Sequence, residues 1–420
     1  MRVSRMTDVI TPTQTVLGQL ANWAASFSPT PGDLELAQRA LADTVAVAVA
    51  APALADEINP IAQLLTPGGY WATMAHILDF DDLHVPSTTH ISAVCVPATL
   101  AVNGDARAYL AGAGVMARLG TVLGWSHYTR GWHATCTIGA PGAAVAAAVA
   151  LGLSAEQIAH AIALSVPAAG GVQRAFGTQA KALQVGFAVE AGIRAARLAA
   201  AGATASAGAV DQWLDLMGGE PEKLVIDGPT VPGGLAIKLA PCCYAMQRPI
   251  DVTRKVLDAG IAVGNIVAIR FSTPRATVKP LIYSNPTTGL EAKFSLEYSI
   301  ASALLTPFPG FAEFTDAAAQ RTEINRLMER IEVTLTDVGD GLLAGEATLA
   351  VEVADGSLHS FVSQLPPGAP DRPPNAEEFF AKLADCSPEF SDRLATLDWV
   401  GGRALLEEAL PVTEQHAGRR

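Results

Sequence analysis

Residues 131–155 contain no Asp, Glu, Lys or Arg, and this stretch restricts the fold more than any other feature of the sequence. It is long enough either to cross a lipid bilayer as a helix or to form a helix that protein surrounds on every side. However, it contains His133, Pro141 and many Gly and Ala residues, whose transfer into lipid gains little free energy. We therefore predict a helix buried inside a globular domain, and no membrane span.

Small side chains dominate the apolar composition of the whole chain. Half of the 420 residues are apolar, but only 6% are aromatic. Cores built from Ala and Gly are typical of closely packed helices, or of helices that meet in an oligomer interface. We predict a succession of helices over residues 12–240, including residues 30–50, residues 188–201 and a helix that begins with a capping box at Ser154 and Gln157 and ends near Val166.

The pattern changes after about Pro241. Runs of alternating or β-branched residues predict strands at 266–271 and 331–336, and a β-hairpin over 348–362 around Asp355-Gly356. A helix is expected at 296–305, a Pro-rich linker at 366–374 and further helix from residue 376. We predict a mainly α protein with two domains. The large one is all-helical, residues 1–240 completed by 376–420, and the smaller α+β domain covers residues 241–375.

Net charge and cysteine content restrict the classes of function and the cellular compartments that fit this protein. The net charge of −13 argues against nucleic-acid binding, which needs a basic surface, but local cations can still bind an anionic substrate. The five cysteines show no C-x-x-C spacing, which favours reduced thiols and a cytoplasmic protein. Residues 1–8 include two arginines without a following apolar segment, so we expect no secretory signal.

Five of the eight histidines lie between residues 76 and 133, and three of them belong to one acidic cluster. Its titratable members are His76, Asp79, Asp81, Asp82, His84 and His90. Three interpretations remain open: a metal site, general acid–base catalysis in which a carboxylate orients an imidazole, or a polar helix end with a structural role. The spacing matches no metal motif.

Three further segments carry reactive side chains. His133 precedes the uncharged stretch among small residues, with Thr135 and Thr137 placed to cap the following helix, whose N-terminus would suit a substrate carboxylate. Lys181 lies in an apolar segment, either as a surface cation or as a buried one that binds an anion. Lys238 precedes the vicinal Cys242 and Cys243 at the predicted domain boundary, where the thiols are either packing residues or site residues.

Together and in order, these segments resemble the MmgE/PrpD family, which includes dehydratases, decarboxylases and epimerases of small carboxylic acids. The matching segments are 76–97, 131–153, 176–204, 238–251 and 286–305. The resemblance implies a large helical domain, a smaller α+β lid domain, a homodimer, and catalysis without a cofactor or a required metal. The implied partner is a small carboxylic acid.

The resemblance also implies roles for individual residues. His133 would be the base or acid, His90 its partner, and Asp79 the carboxylate that orients an imidazole. Lys181 and Lys238 would hold the substrate carboxylate, and Thr135 and Cys243 would contribute to substrate binding. Abstraction of a proton beside a carboxylate needs such a base together with charge stabilisation of the resulting anion.

The chain departs from the family pattern at several positions. Members commonly carry Thr where this chain has Leu83, His where it has Gln184, and, in the decarboxylases, His where it has Cys243. The stretch 55–75 is shortened. The leading hypothesis is therefore a lyase that acts like 2-methylcitrate dehydratase, and cis-aconitate decarboxylase and iminodisuccinate epimerase activities are the alternatives within the family. Two alternatives lie outside it: a metal-dependent hydrolase using Asp79, Asp81, His84 and His90, and a catalytically silent carboxylate-binding protein.

Overall fold

The computed structural model describes residues 15–412. The expectation for residues 1–8 lies outside this range. Over the described part, the first two hundred or so residues form ten helices: α1 (Val16–Ser26), α2 (Pro31–Leu54), α3 (Asn59–Ala62), α4 (Pro67–Ile77), α5 (Ile91–Leu100), α6 (Ala106–Thr129), α7 (Ala134–Ala150), α8 (Ala155–Ser165), α9 (Ala180–Ala200) and α10 (Ala209–Met217).

The remainder mixes helices with a small sheet. Its elements are α11 (Gln247–Asp258), β1 (Ile266–Pro274), α12 (Gly289–Ala292), α13 (Leu296–Leu305), α14 (Asp316–Ala319), α15 (Thr322–Met328), β2 (Ile331–Thr336), β3 (Ala347–Val353), β4 (Leu358–Ser363), α16 (Ala376–Cys386), α17 (Ser391–Ala395) and α18 (Trp399–Ala409). The protein is thus mainly α with a smaller α+β region, as the sequence predicts.

Several local predictions are confirmed. The side chains of Ser154 and Gln157 form the capping box at the start of α8. Helix α2 begins after a second capping box, at Thr30, and continues four residues further than predicted, through Pro52 to Leu54. The uncharged stretch forms α7, which is buried from Ala134 to Val149. None of the helices between residues 15 and 412 is long and apolar enough to cross a membrane.

The four strands form one sheet in the order β2-β1-β3-β4. β1 pairs in parallel with β2 and antiparallel with β3, so that Ile269 lies between Ile331 and Val351. β3 and β4 form the predicted hairpin, and Gly356 adopts the positive φ of 86° that its turn requires.

Two separate hydrophobic cores underlie this architecture. One combines side chains of α1–α10 with those of α16–α18. The other is made by residues 240–353, around β1 and β3 and helices α11 and α13. Because α16–α18 return to the first core, the chain crosses from one core to the other twice.

Small residues bring α6, α7 and α9 into close contact. A Cβ atom on Gly192 of α9 would lie 2.6 Å from the carbonyl oxygen of Ala140 and 2.5 Å from the Cβ of Ala143 on α7. On the other side of α7, a Cβ atom on Gly112 of α6 would lie 2.8 Å from the carbonyl oxygen of Gly142. Both helices therefore approach α7 closely enough for backbone contact.

Substitution of Gly192 by Ala tests this packing. We expect the free energy of unfolding to fall by about 1–3 kcal/mol, because overpacking against α7 outweighs the helix propensity of about 1 kcal/mol that Ala gains over Gly. Gly32→Ala is the matched control, since a Cβ atom there would lie 4.0 Å from Thr30 Oγ1 in an open first turn. Denaturant unfolding followed by circular dichroism would compare them. Equal stabilities would contradict close packing at Gly192.

Candidate active site

The segment that follows α4 is the centre of the site. Helix α4 ends at Ile77, and Asp79 adopts a positive φ of 58°, which turns the chain sharply. Buried lysines from three distant parts of the chain donate to successive carbonyl oxygens here: Lys293 to Leu78 (2.8 Å), Lys238 to Asp79 (2.7 Å) and Lys382 to Phe80 (2.8 Å). Carbonyls beyond a helix C-terminus lack partners within the helix and attract cations, so the lysines hold this turn in place.

The Asp79 carboxylate pairs with the ammonium group of Lys181, and both side chains are buried. Lys293 Nζ lies 3.8 Å from the other carboxylate oxygen. Burial alone would raise the pKa of Asp79, but the charges of Lys181, Lys293 and Lys238 outweigh burial and lower this pKa to about 2. Burial also opposes the charge of Lys181, yet Asp79 and Asp81 raise the pKa of Lys181 above its usual value. The pair is therefore ionised at neutral pH.

Asp81 is the carboxylate that contacts imidazoles. Its Oδ2 lies 2.6 Å from His76 Nδ1 and 3.1 Å from His90 Nδ1, and Lys238 Nζ lies 3.8 Å from Oδ1. His90 Nδ1 is also 2.7 Å from the carbonyl oxygen of Asp82. Sequence reasoning assigned the orienting role to Asp79, and the structure corrects this: Asp79 faces Lys181, whereas Asp81 holds the histidines.

These contacts determine the tautomers of two histidines. Both neighbours of His90 Nδ1 are oxygen acceptors, so Nδ1 carries the proton and Nε2 has a free lone pair; the same holds for His76 against Asp81. Burial lowers the pKa of His90 to about 4 despite the attraction of Asp81. His90 is therefore a neutral imidazole at neutral pH and can accept a proton at Nε2.

His133 reaches the same place from the other side. It is the N-cap residue of α7, and its Nδ1 lies 3.1 Å from the thiol sulfur of Cys136. Its ring packs edge-on against Phe176 and stacks on His76 with centroids 5.6 Å apart. Its Nε2 is buried and makes no hydrogen bond to any residue that the structure describes. Burial, assisted by repulsion from His76 and Lys181, holds the pKa of His133 well below its usual value.

All seven residues to which the family resemblance gives a catalytic or substrate-binding role line one cavity. They are Asp79, His90, His133, Thr135, Lys181, Lys238 and Cys243. Thr135 Oγ1 also accepts a hydrogen bond from the backbone N–H of His90. Four aromatic or apolar side chains complete much of the wall: Tyr128, Phe176, Phe294 and Leu342.

The lyase hypothesis drawn from the sequence gave no role to four polar residues that the structure places at the site: His76, Asp81, Tyr244 and Lys293. His76 and Asp81 belong to the acidic cluster, where spacing alone does not show which carboxylate meets which imidazole. Lys293 lies in the matching segment 286–305, but no cluster of titratable residues surrounds it in the sequence to suggest a role. The Tyr244 hydroxyl is buried against the cavity without a hydrogen-bond partner among residues 15–412, and only the fold reveals this.

The geometry also bears on metal binding. His76, Asp81 and His90 offer ligand atoms within 4.8 Å of one another and are the residues that could hold a cation. The set expected for a metal-dependent hydrolase is not assembled, because both ring nitrogens of His84 are bonded elsewhere, to Ser87 Oγ (2.6 Å) and to the carbonyl oxygen of Pro232 (2.5 Å). The metal-dependent hydrolase is therefore contradicted, because His84, one of its four expected ligands, is not available.

A cavity that combines neutral histidines with buried lysines has the groups that acid–base chemistry on an anion requires. Comparisons with known proteins identify the family. The model of the MmgE/PrpD N-terminal domain matches residues 68–214, and that of the MmgE/PrpD C-terminal domain matches residues 240–396. The chain belongs to the MmgE/PrpD family.

Two relatives have names that refer to an activity on cis-aconitate. The chain is 24% identical over 365 residues to "Cis-aconitate decarboxylase" of Aspergillus terreus (strain NIH 2624 / FGSC A1156), a match that covers 76% of this chain and 73% of the relative. It is 25% identical over 229 residues to "Cis-aconitate decarboxylase-like protein oryM" of Aspergillus oryzae (strain ATCC 42149 / RIB 40), covering 45% and 48%. The family and these relatives indicate an enzyme that acts on carboxylic acids.

Behind the cavity, Asp82 forms a second buried carboxylate site. It accepts hydrogen bonds from the hydroxyl and the backbone N–H of Ser92, and Ser92 Oγ lies 2.8 Å from the hydroxyl of Tyr109. Burial raises the pKa of Asp82 to about 7, and repulsion from Asp43 and Asp81 adds to this increase although the bonds from Ser92 oppose it.

Asp82 should therefore make stability depend on pH. In the unfolded chain its pKa is about 3.9, so between pH 4 and 7 the unfolded state loses this proton while the folded state keeps it. Rising pH consequently destabilises the fold through Asp82. For Asp82→Asn, we expect the free energy of unfolding relative to the parent protein to rise by up to about 4 kcal/mol from pH 4 to 7, and then to level off. Urea unfolding of both proteins from pH 4 to 7 would measure this difference. If the free energies of unfolding of the parent and the variant change with pH in parallel, the raised pKa of Asp82 is wrong.

Proposed function

We propose that the chain is a lyase that removes a proton next to a carboxylate of a small di- or tricarboxylic acid, with dehydration of a 2-methylcitrate-like substrate as the reaction. The observation that carries this proposal is the cavity in which His90 presents a free Nε2 lone pair beside His133 and the buried cations Lys181 and Lys238. A cofactor is not needed for such chemistry when base, acid and charge stabilisation all come from side chains.

The substrate carboxylate would bind to the lysines. Lys181 and Lys238 both line the cavity, and although Asp79 and Asp81 partly neutralise them, Lys293 adds a third cation within 3.8 Å of Asp79. Thr135 lies at the N-terminus of α7, whose first N–H groups favour an anion. Binding here would place the carbon next to the carboxylate near His90 and His133.

Proton abstraction would then use His90. Its Nε2 takes the proton from the carbon next to the carboxylate, and Asp81 stabilises the imidazolium through Nδ1. The lysines stabilise the negative charge that moves onto the carboxylate. We propose that this chemistry proceeds without a metal, because Asp81 is already engaged by two histidines and faces Lys238, whose charge opposes a nearby cation.

Decarboxylation of cis-aconitate is the second candidate, because it is the activity in the names of the relatives. It would use the same cations and histidines but would protonate a carbanion after loss of carbon dioxide. Cys243 occupies the cavity wall at the position where family decarboxylases carry His, and burial raises the pKa of its thiol. A neutral thiol there favours dehydration over decarboxylation.

The proposal includes a cytoplasmic homodimer. All five cysteines are free, as a reducing compartment requires. Large apolar side chains are exposed on the helical part, among them Val172 and, on α9, Phe187 and Leu198, and such side chains are suited to an interface with a second copy.

Incubation of the protein in D₂O with citrate, 2-methylcitrate, cis-aconitate and aspartate-derived acids tests the proposal by proton NMR. We expect deuterium to enter next to a carboxylate, and a new vinyl proton signal or, with 2-methylcitrate, the collapse of the methyl doublet to a singlet on a C=C bond to report dehydration. Decarboxylation and epimerisation would give other products and so be recognised.

Variants locate the chemistry. His90→Gln and His133→Gln should lower the rate by roughly 10²–10⁴-fold, the usual contribution of general acid–base catalysis. The control variant His359→Gln changes a residue on β4 outside the cavity lining and should retain the rate of the parent protein. Binding of these acids without any exchange would instead indicate a catalytically silent carboxylate-binding protein. If deuterium exchange persists in both the His90→Gln and the His133→Gln variant, the roles proposed for these histidines are wrong.

A further inference from the structure

Cys136 contacts a histidine of the cavity from behind the cavity wall. Its sulfur lies 3.1 Å from His133 Nδ1, and its side chain is buried and does not line the cavity. Neither the sequence pattern nor the family comparison assigns this thiol a role. The opposite ring nitrogen of His133, Nε2, is buried and has no hydrogen-bond partner in the described part of the chain.

The position of the two residues on α7 indicates which of them donates. His133 is the N-cap residue and Cys136 is the third residue of the helix. An N-cap side chain normally accepts a hydrogen bond at the third helical residue, from that residue's backbone N–H. The His133 side chain makes no such bond to the backbone, and the thiol of Cys136 occupies that place.

The electrostatics favour an unprotonated Nδ1. The first turn of α7 carries unpaired N–H groups and the positive end of the helix dipole, which favour a lone pair over an N–H at this atom. Burial raises the pKa of the Cys136 thiol, so the thiol keeps its proton and can donate it. Lys181 disfavours an imidazolium at His133.

We propose that Cys136 is a positioning residue that donates its S–H to Nδ1 of His133 and thereby fixes this imidazole as the tautomer with its proton on Nε2. His133 then presents a donor to the cavity, whereas His90, whose Nδ1 donates to Asp81 and to the Asp82 carbonyl, presents an acceptor. Two chemically identical side chains thus acquire opposite roles from their buried partners.

The catalytic consequence rests on the proposed function. In a dehydration, His90 Nε2 takes the proton from carbon, and the electrons of that C–H bond form the new C=C bond. The C–O bond breaks and its electron pair leaves with the oxygen, to which the Nε2–H of His133 donates a hydrogen bond. The proton that His90 took from carbon passes to this oxygen and forms water, so both imidazoles end in their starting tautomers. The Cys136 proton stays in place throughout.

Nitrogen-15 NMR of the protein with labelled histidine tests the tautomer without any substrate. His133→Gln assigns the His133 signals by their absence. In the parent protein we expect an unprotonated Nδ1 and a protonated Nε2 for His133, and the reverse for His90. A protonated Nδ1 on His133 in the parent protein would overturn the proposal.

Substitutions at Cys136 provide the second test. Cys136→Ser keeps a donor and should retain the tautomer, whereas Cys136→Ala should shift His133 toward a mixture and lower kcat about tenfold or more with KM changed less than twofold. Cys386→Ala, which removes a buried thiol on α16, should change neither. An Ala variant with the parent's His133 spectrum would refute the role of Cys136.

The outcome is separable from that of the proposed function. Absence of turnover with every carboxylic acid would reject the lyase, but the nitrogen spectra would still decide the tautomer. Conversely, normal turnover together with a protonated Nδ1 on His133 would leave the lyase standing and reject the positioning role of Cys136.

Discussion

The site depends on one turn, residues 78–82, and on the lysines that hold its carbonyl oxygens. Lys293 comes from the second core, Lys238 from the segment that joins the two cores, and Lys382 from α16, which packs in the first core. Lys382 Nζ also lies 2.5 Å from Asp43 on α2. Since an unpaired buried ammonium is costly, each lysine favours the arrangement in which the turn is present. The lysines therefore couple the packing of both cores to the assembly of the cavity.

The same lysines explain how an acidic protein offers a site for an anion. The chain carries a net charge of −13, yet the three buried lysines Lys181, Lys238 and Lys293 outnumber the two aspartates, Asp79 and Asp81, with which they pair. Low pKa values keep these two aspartates ionised, and burial keeps His90 and His133 neutral. Under the proposed function, a substrate carboxylate would meet ammonium groups that are fixed in position and shielded from water, where an electrostatic interaction is stronger than at the surface.

Much of the fold could be predicted because helices and strands leave periodic signals, whereas the roles of seven cavity residues came from the resemblance to a family. Helix 296–305 and strand 331–336 have the predicted bounds. The partner of each carboxylate could not be predicted. Asp79 and Asp81 are two residues apart, and the positive φ of Asp79 decides that one faces Lys181 and the other the histidines. Such a backbone angle, and contacts such as Lys293 with Leu78 across more than two hundred residues, arise only from tertiary packing.

The cavity wall gives the departures at Leu83 and Cys243 a physical meaning. Leu83 packs with Tyr244 and Leu342 in a small apolar cluster beside the polar groups. One part of the lining is thus cationic and hydrogen-bonding, while another is apolar apart from the unpartnered hydroxyl of Tyr244. A purely polar tricarboxylate would leave charged groups facing that apolar wall, at a desolvation cost. An acid that carries an alkyl substituent near its carboxylates would bury the substituent there instead. Under the proposed function, Leu83 would therefore favour an alkyl-bearing substrate, and this is our reason for proposing 2-methylcitrate ahead of cis-aconitate.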